Sequence, residues 1–182
     1  MWTYLENYFN IKKSFVFYGS YHNEWRNQMV HVVFVPLIYT TTLSFLTKVK
    51  ITPSLNLSQV GATLYALTFI IMEPVAGTLY APLVYGMYYA ATNFFAHCPL
   101  LAAAVNVVGW ASQIIAHKFC EQRQPAFLED PLQAIHSAVF FVWLEVLFHL
   151  GYNPAKKKEL DALVAARIAK LNADGAAAQR NH

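Results

Sequence analysis

Charge is what this 182-residue chain has least of. Asp, Glu, Lys and Arg together make up 13% of it, about half the share of an ordinary soluble domain. The shortage is concentrated. No charged residue occurs from Ile51 to Met72, nor from Pro74 to His117. A stretch that long holds two spans of about 20 residues each, and it excludes a soluble domain whose helices present solvated faces. Cysteine is scarce as well. Cys98 and Cys120 are the two, and their spacing fits neither a metal knuckle nor a disulfide framework. A net charge of +3 is too small to suit a nucleic-acid partner. A cleavable signal is also lacking: Met1–Asn10 is acidic and aromatic, and the first long apolar run begins near Met29.

What is present is apolar: hydrophobic residues reach 57%, which marks an integral membrane protein. The length suits one domain. The expected fold is all-α, a polytopic membrane bundle of about four to five apolar helices with polar N- and C-terminal segments. Residues 1–154 form the membrane-embedded unit, and 155–182 form a charged, partly disordered tail. Residues 1–28 read as an amphipathic entry segment. Asn23 is positioned to cap a helix that runs into the first apolar segment, Val30–Thr47, with Pro36 inside it. After a turn at "KVKITPSLN", the second segment covers Gln59–Met72 and is broken by Glu73-Pro74. The third covers Ala81–Ala96, the fourth Leu100–Ala116 and the fifth Leu132–Leu150. In the tail, Leu160, Leu163, Val164, Ile168 and Leu171 make an apolar stripe suited to a membrane surface or a partner, and "NADGAAAQRNH" reads as disordered. Four crossings, with one segment dipping in and out, keep Lys12, Lys13, Arg26 and the run Lys156–Lys158 on the cytoplasmic side.

Seven histidines sort by height in such a bundle. His22 and His31 open the first segment, and His117 closes the fourth, which returns to the same side. His136 sits about one turn into the fifth segment and can reach that level. His97 lies at the opposite end, about 30 Å away at 1.5 Å per residue. His149 lies about 20 Å along its helix from His136, and His182 is in the tail. On one straight helix His22 and His31 would point to opposite faces about 13 Å apart, so they converge only if the chain bends between them, near Asn23. Asn27 precedes His31 by four residues, Gln113 precedes His117 by four, and Glu121 follows it by four. Each imidazole thus has an amide or carboxylate near enough to orient it, as metal-bound histidines require. These residues suit either interfacial anchors or a metal site. Imidazole suits zinc, copper and iron alike, and the HxxxH and HxxHH boxes of di-iron membrane hydroxylases are absent. Glu73 reads as a loop or interface carboxylate. Glu145, deep in the fifth segment, calls for a buried partner or a cavity.

Two blocks carry a family resemblance. "YHNEWRNQMVHVVFVP" (21–36) has Tyr-His, a later Asn, then His and Val-Pro. "GWASQIIAHKFCEQRQPAFLEDPLQ" (109–133) has Gly-Trp, Gln, His, then Glu, Arg, Pro-Ala and Leu-Gln. Together they resemble the yeast-type 2-hydroxy fatty acid dioxygenases, small endoplasmic-reticulum enzymes related to phytosphingosine breakdown, over most of residues 8–154. The resemblance implies Fe(II)-dependent α-oxidation, in which a 2-hydroxy fatty acid and dioxygen yield the acid one carbon shorter. It implies His22, His31 and His117 as metal ligands and Glu121 as a catalytic polar residue; spacing and height, not the resemblance, add Asn27, Gln113 and His136 as supporting or substrate-binding positions. It also implies a lipid-membrane setting with the metal near the cytoplasmic face. Ala116 stands where the family has Gly, Cys120 where it has an aromatic, and His136 has no family counterpart. Three imidazoles leave an octahedral iron up to three open positions, enough for a chelating 2-hydroxy carboxylate and dioxygen, while Glu121 orients His117 or carries a proton. The competing readings are the same scaffold acting on another hydroxy acid, a zinc-dependent membrane hydrolase, and a non-catalytic tetraspan scaffold.

Overall fold

A computed structural model describes residues 8–122 and 126–180. His182 and the Arg-Gln-Pro run of the second motif block (123–125) lie outside the described residues, as do the first seven residues of the entry segment. The described residues form seven α-helices: α1 Ile11–Gly19, α2 Trp25–Leu46, α3 Leu57–Met72, α4 Pro74–Asn93, α5 Pro99–Ala116, α6 Pro131–His149 and α7 Pro154–Arg180. The sequence punctuates most of them. Asn10, Glu24, Asn56, Glu73 and Asp130 each accept a hydrogen bond from an amide in the first turn they cap. Four helices open on proline, whose missing N–H would have no intrahelical partner there. Glu24 rather than Asn23 is the cap of α2. Its longer carboxylate reaches the Arg26 and Asn27 amides at 2.9 and 3.1 Å.

Helix α2 is central, packing against α3, α4, α5 and α6. It continues through Pro36, where the Thr40 hydroxyl bonds the Pro36 carbonyl at 2.7 Å. The turn after it closes a two-stranded antiparallel ribbon, β1 (Lys50–Thr52) with β2 (Leu55–Asn56). The expected third segment begins earlier than Ala81. Once Glu73 turns the chain and caps the new helix, Pro74 suits its first position, and α4 runs unbroken through Pro82 to Asn93. Only a glycine fits that turn: a Cβ on Gly77 would sit 2.3 Å from the Phe69 carbonyl oxygen. Gly109 does the same for α5 against α2, where a Cβ would sit 2.7 Å from Ile38. Nearby, Asn106 donates to the Thr41 hydroxyl at 2.9 Å, tying α5 to α2.

Among the described residues, three helices are long and apolar enough to cross a membrane, Trp25–Leu46, the run Pro99–Glu121 and Pro131–His149, and Leu57–Met72 is a shorter apolar helix. Both ends of α6, however, are tied to α1 and α7. At its start Glu129 accepts from Tyr21 and from Arg167. Towards its end Phe148 meets Phe15, at 5.7 Å between ring centroids. In between, Phe140 stacks on Phe69 of α3 (4.6 Å, 11°), and the Trp143 indole N–H donates to the Ala76 carbonyl of α4 at 3.0 Å.

The tail departs from expectation. Leu160 and Val164 are buried, and Val164 packs where Gly19 leaves no side chain. Leu160 and Val164 of the stripe therefore pack on the chain's own α1, while Leu163 stays exposed. The helix also continues through residues 172–180, the stretch whose composition suggests disorder. Lys156 and Tyr152 reach the Glu73 carboxylate at 3.2 and 2.9 Å, which fixes the start of α7 to the α3–α4 turn.

Candidate metal centre

The chain bends between α1 and α2, over residues 20–24, and that bend brings His22 back beside His31. His117 arrives from the end of α5, where the helix widens into a π-turn, His117–Glu121, before Gln122 turns left-handed at φ 54°. The three imidazoles are 5%, 2% and 4% exposed. Their ring centroids are 4.3, 4.8 and 5.0 Å apart, in edge-on pairs. One nitrogen of each lies within 4.8 Å of the others, the only such cluster among the described residues.

Two of the three rings are oriented by backbone, not by the amides that the spacing suggests. His22 Nδ1 donates to the Tyr18 carbonyl at 2.8 Å, and His31 Nδ1 to the Asn27 carbonyl at 2.9 Å. A carbonyl only accepts, so both rings carry their proton on Nδ1 and leave the Nε2 lone pair free. His117 Nδ1, Gln113 Nε2 and Asn27 Oδ1 are buried and find no hydrogen-bond partner among the described residues. Burial, and after it the imidazoles of His31 and His117, hold His22 well below its ordinary pKa. A neutral imidazole is the form that binds a metal. The donor set therefore fits a divalent transition metal: three buried nitrogen ligands, without a carboxylate or thiolate among them.

Glu121 is drawn elsewhere than its four-residue spacing from His117 suggests. Its carboxylate accepts the backbone amides of Asn23 at 3.1 Å and Glu24 at 3.0 Å, and the Asn27 side-chain amide at 3.1 Å. Those bonds clamp the end of α5 to the bend that carries His22. The π-turn is the physical reason, since it rotates residue 121 away from the face a regular helix would give it. His136 stands apart from the cluster, with Tyr8, Phe9, Tyr65 and Phe69 around it at 5.9–6.4 Å between ring centroids. His97 is exposed in the turn before α5. Tyr18 is the residue that sequence reasoning missed: its ring stacks on His22 at 4.0 Å and 10°. The signal was the Tyr18–His22 spacing, one helical turn, which is also the Asn27–His31 spacing.

With this geometry in place, comparison with known proteins is specific. The model of the family described as "Mpo1-like: 2-hydroxy-palmitic acid dioxygenase Mpo1-like" matches residues 8–150. The 2-hydroxy-palmitic acid dioxygenase MPO1 of Saccharomyces cerevisiae is 27% identical over 157 residues, covering 86% of this chain and 90% of that protein. No solved structure matches the chain.

Proposed function

The chain belongs to the Mpo1-like family, and from that premise we propose that it is an Fe(II)-dependent dioxygenase that shortens 2-hydroxy fatty acids by one carbon. The reaction balances with dioxygen as the only co-substrate: a 2-hydroxy acid and O2 give the shorter acid, carbon dioxide and water. The observation that carries the reading is the convergence of His22, His31 and His117 at one buried point. When bound there, Fe(II) supplies the activation of dioxygen.

The chain's own residues supply the rest. Tyr18 and Asn27 hold two rings in one tautomer through their carbonyls, and orienting bonds of this kind support metal affinity. Glu121 positions the bend rather than carrying a proton. Gln113 Nε2 and Asn27 Oδ1 are buried and still without a partner among the described residues; the first, a donor, suits a carboxylate oxygen, and the second, an acceptor, suits the 2-hydroxyl. Burial of the three ligands shields the reacting atoms from bulk water.

The four helices α2–α5 cross the membrane in this reading, and α6 dips into it and returns, as the ties at both its ends support. Lys12, Lys13, Arg26, Lys118 and the run Lys156–Lys158 then share the triad's side, against Lys48 and Lys50 on the other. That bias supports a metal centre at the cytoplasmic face, as the reading of an endoplasmic-reticulum enzyme expects. The test is product mass. Purified protein loaded with Fe(II) and given 2-hydroxyhexadecanoic acid should release the acid one carbon shorter, with oxygen and not without it. Equal turnover after iron is stripped by a chelator would overturn the proposal.

A further inference from the structure

Two cavities lie one above the other along the seam between α2 and α6. The first is a polar chamber of about 260 Å³ that reaches the metal centre, because His22 forms part of its wall together with Gln28, Glu145, His149, Lys157 and Asp161. The second is an apolar groove of about 460 Å³ bounded by α2, α4 and α6, with Val32, Pro36, Val142, Val146, Gly86 and Phe95 among its walls. The same two helices wall both. On α2, Gln28 in the chamber and Val32 in the groove are one turn apart on one face. On α6, Glu145 and His149 in the chamber are three residues from Val142 and Val146 in the groove. One wall thus changes from polar to apolar within a single turn.

We propose that chamber and groove are the two ends of one substrate channel, which takes a single-chain amphiphile with its acid head beside His22 and its tail along α2 and α4. The proposal rests on the dioxygenase reading for its substrate class and goes beyond it in locating the tail. Three observations argue for this occupant. Glu145 is 4% exposed, and its Oε2 has no partner among the described residues. It lines the chamber as a buried polar atom that a ligand hydroxyl would satisfy. Lys157 lines the same chamber, paired at its edge with Asp161 at 2.6 Å, and brings a cation to the level of an incoming carboxylate. The third is length. From Gln28 to Thr40 the seam runs about 18 Å at 1.5 Å per residue, which suits a long-chain acyl tail and exceeds the need of a small hydroxy acid. The Thr40 hydroxyl that lines the groove is already bonded within its helix, so the tail meets no unsatisfied group there.

Gly86 makes the channel testable. It lines the groove, and a Cβ placed on it meets nothing within 4 Å. Gly86→Leu therefore fills the groove without displacing the fold, in a helix that favours leucine over glycine. With Fe(II) and oxygen, the variant should lose turnover of 2-hydroxyhexadecanoic acid roughly tenfold or more. It should keep turnover of 2-hydroxyoctanoic acid and bind iron as before. An unchanged chain-length profile in Gly86→Leu would overturn the channel and leave the dioxygenase reading intact. An independent readout needs no turnover: a sixteen-carbon 2-hydroxy acid with a photoreactive diazirine near its tail end should label groove residues in the wild type and lose that labelling in Gly86→Leu. Labelling outside the groove, or equal labelling in both proteins, overturns the channel. Groove labelling without turnover of either acid keeps the channel and overturns the dioxygenase reading.

Discussion

His22 and His136 are both largely buried imidazoles in one small bundle, yet they sit in opposite kinds of surroundings. Around His22 are two further imidazoles, two backbone carbonyls that fix tautomers, and a carboxylate that clamps the bend. Around His136 are the rings of Tyr8, Phe9, Tyr65 and Phe69, and its Nε2 is left without a partner among the described residues. Burial is common to both. What separates a metal centre from a packed histidine is the convergence of lone pairs from three different chain segments, and only the first region has it.

The largest test of that comparison removes a ligand. His31→Ala should abolish stoichiometric iron, measured by elemental analysis, and lower turnover by more than the roughly 10–100-fold that loss of an outer partner costs. His22→Ala and His117→Ala should match it. Full iron content in any of the three would show that the convergence binds nothing.

Glu121→Gln comes next. It keeps the shape and removes the charge that accepts the Asn23 and Glu24 amides. Iron affinity should fall about 10–100-fold while the helical content of the protein stays the same by circular dichroism. An unaltered affinity would mean that the bend holds His22 without the clamp.

A smaller effect is expected at Glu73, which ties the α3–α4 turn to α7. Burial alone would raise its pKa. The Ala76 amide, the Tyr152 hydroxyl and Lys156 outweigh that and hold it below the ordinary carboxylate value. A carboxylate depressed on folding stabilises the fold fully above its unfolded pKa, and the contribution is lost as pH falls through the folded value. Glu73→Gln should therefore cost about 1 kcal/mol near neutrality, as lost helix caps do. It should also flatten the acid limb of a melting-temperature profile in detergent, and an acid limb identical to wild type would remove Glu73 from the account. His136→Phe should do least, leaving iron content unchanged and altering stability by no more than about 1 kcal/mol. Loss of iron in that variant would break the contrast between the two regions.

Much of this architecture is legible in the amino-acid sequence. The uncharged runs announce apolar helices, and proline and the Asn, Asp and Glu caps mark where most of them begin. Heights along the helices group His22, His31 and His117, with His136 within reach of the same level, by the count of crossings. The bend between His22 and His31 is also required by their nine-residue spacing, which one helix cannot accommodate. Other features are not legible. That part of the tail stripe packs on α1 depends on Gly19 leaving room for Val164, a contact between residues far apart in the chain. That Glu121 turns to the bend depends on a π-turn, which leaves no periodic trace in five residues.

Sequence by itself determined the solvent of this protein, the identity of its helices and the residues able to bind a metal, because composition, period and side-chain chemistry are local properties. Tertiary structure alone decided which imidazoles meet, which carbonyls fix their protons, and how a polar chamber passes into an apolar groove. Those depend on where separate segments approach, and contacts such as those of Gly19 with Val164 and Gly109 with Ile38 join residues that no single stretch of sequence contains.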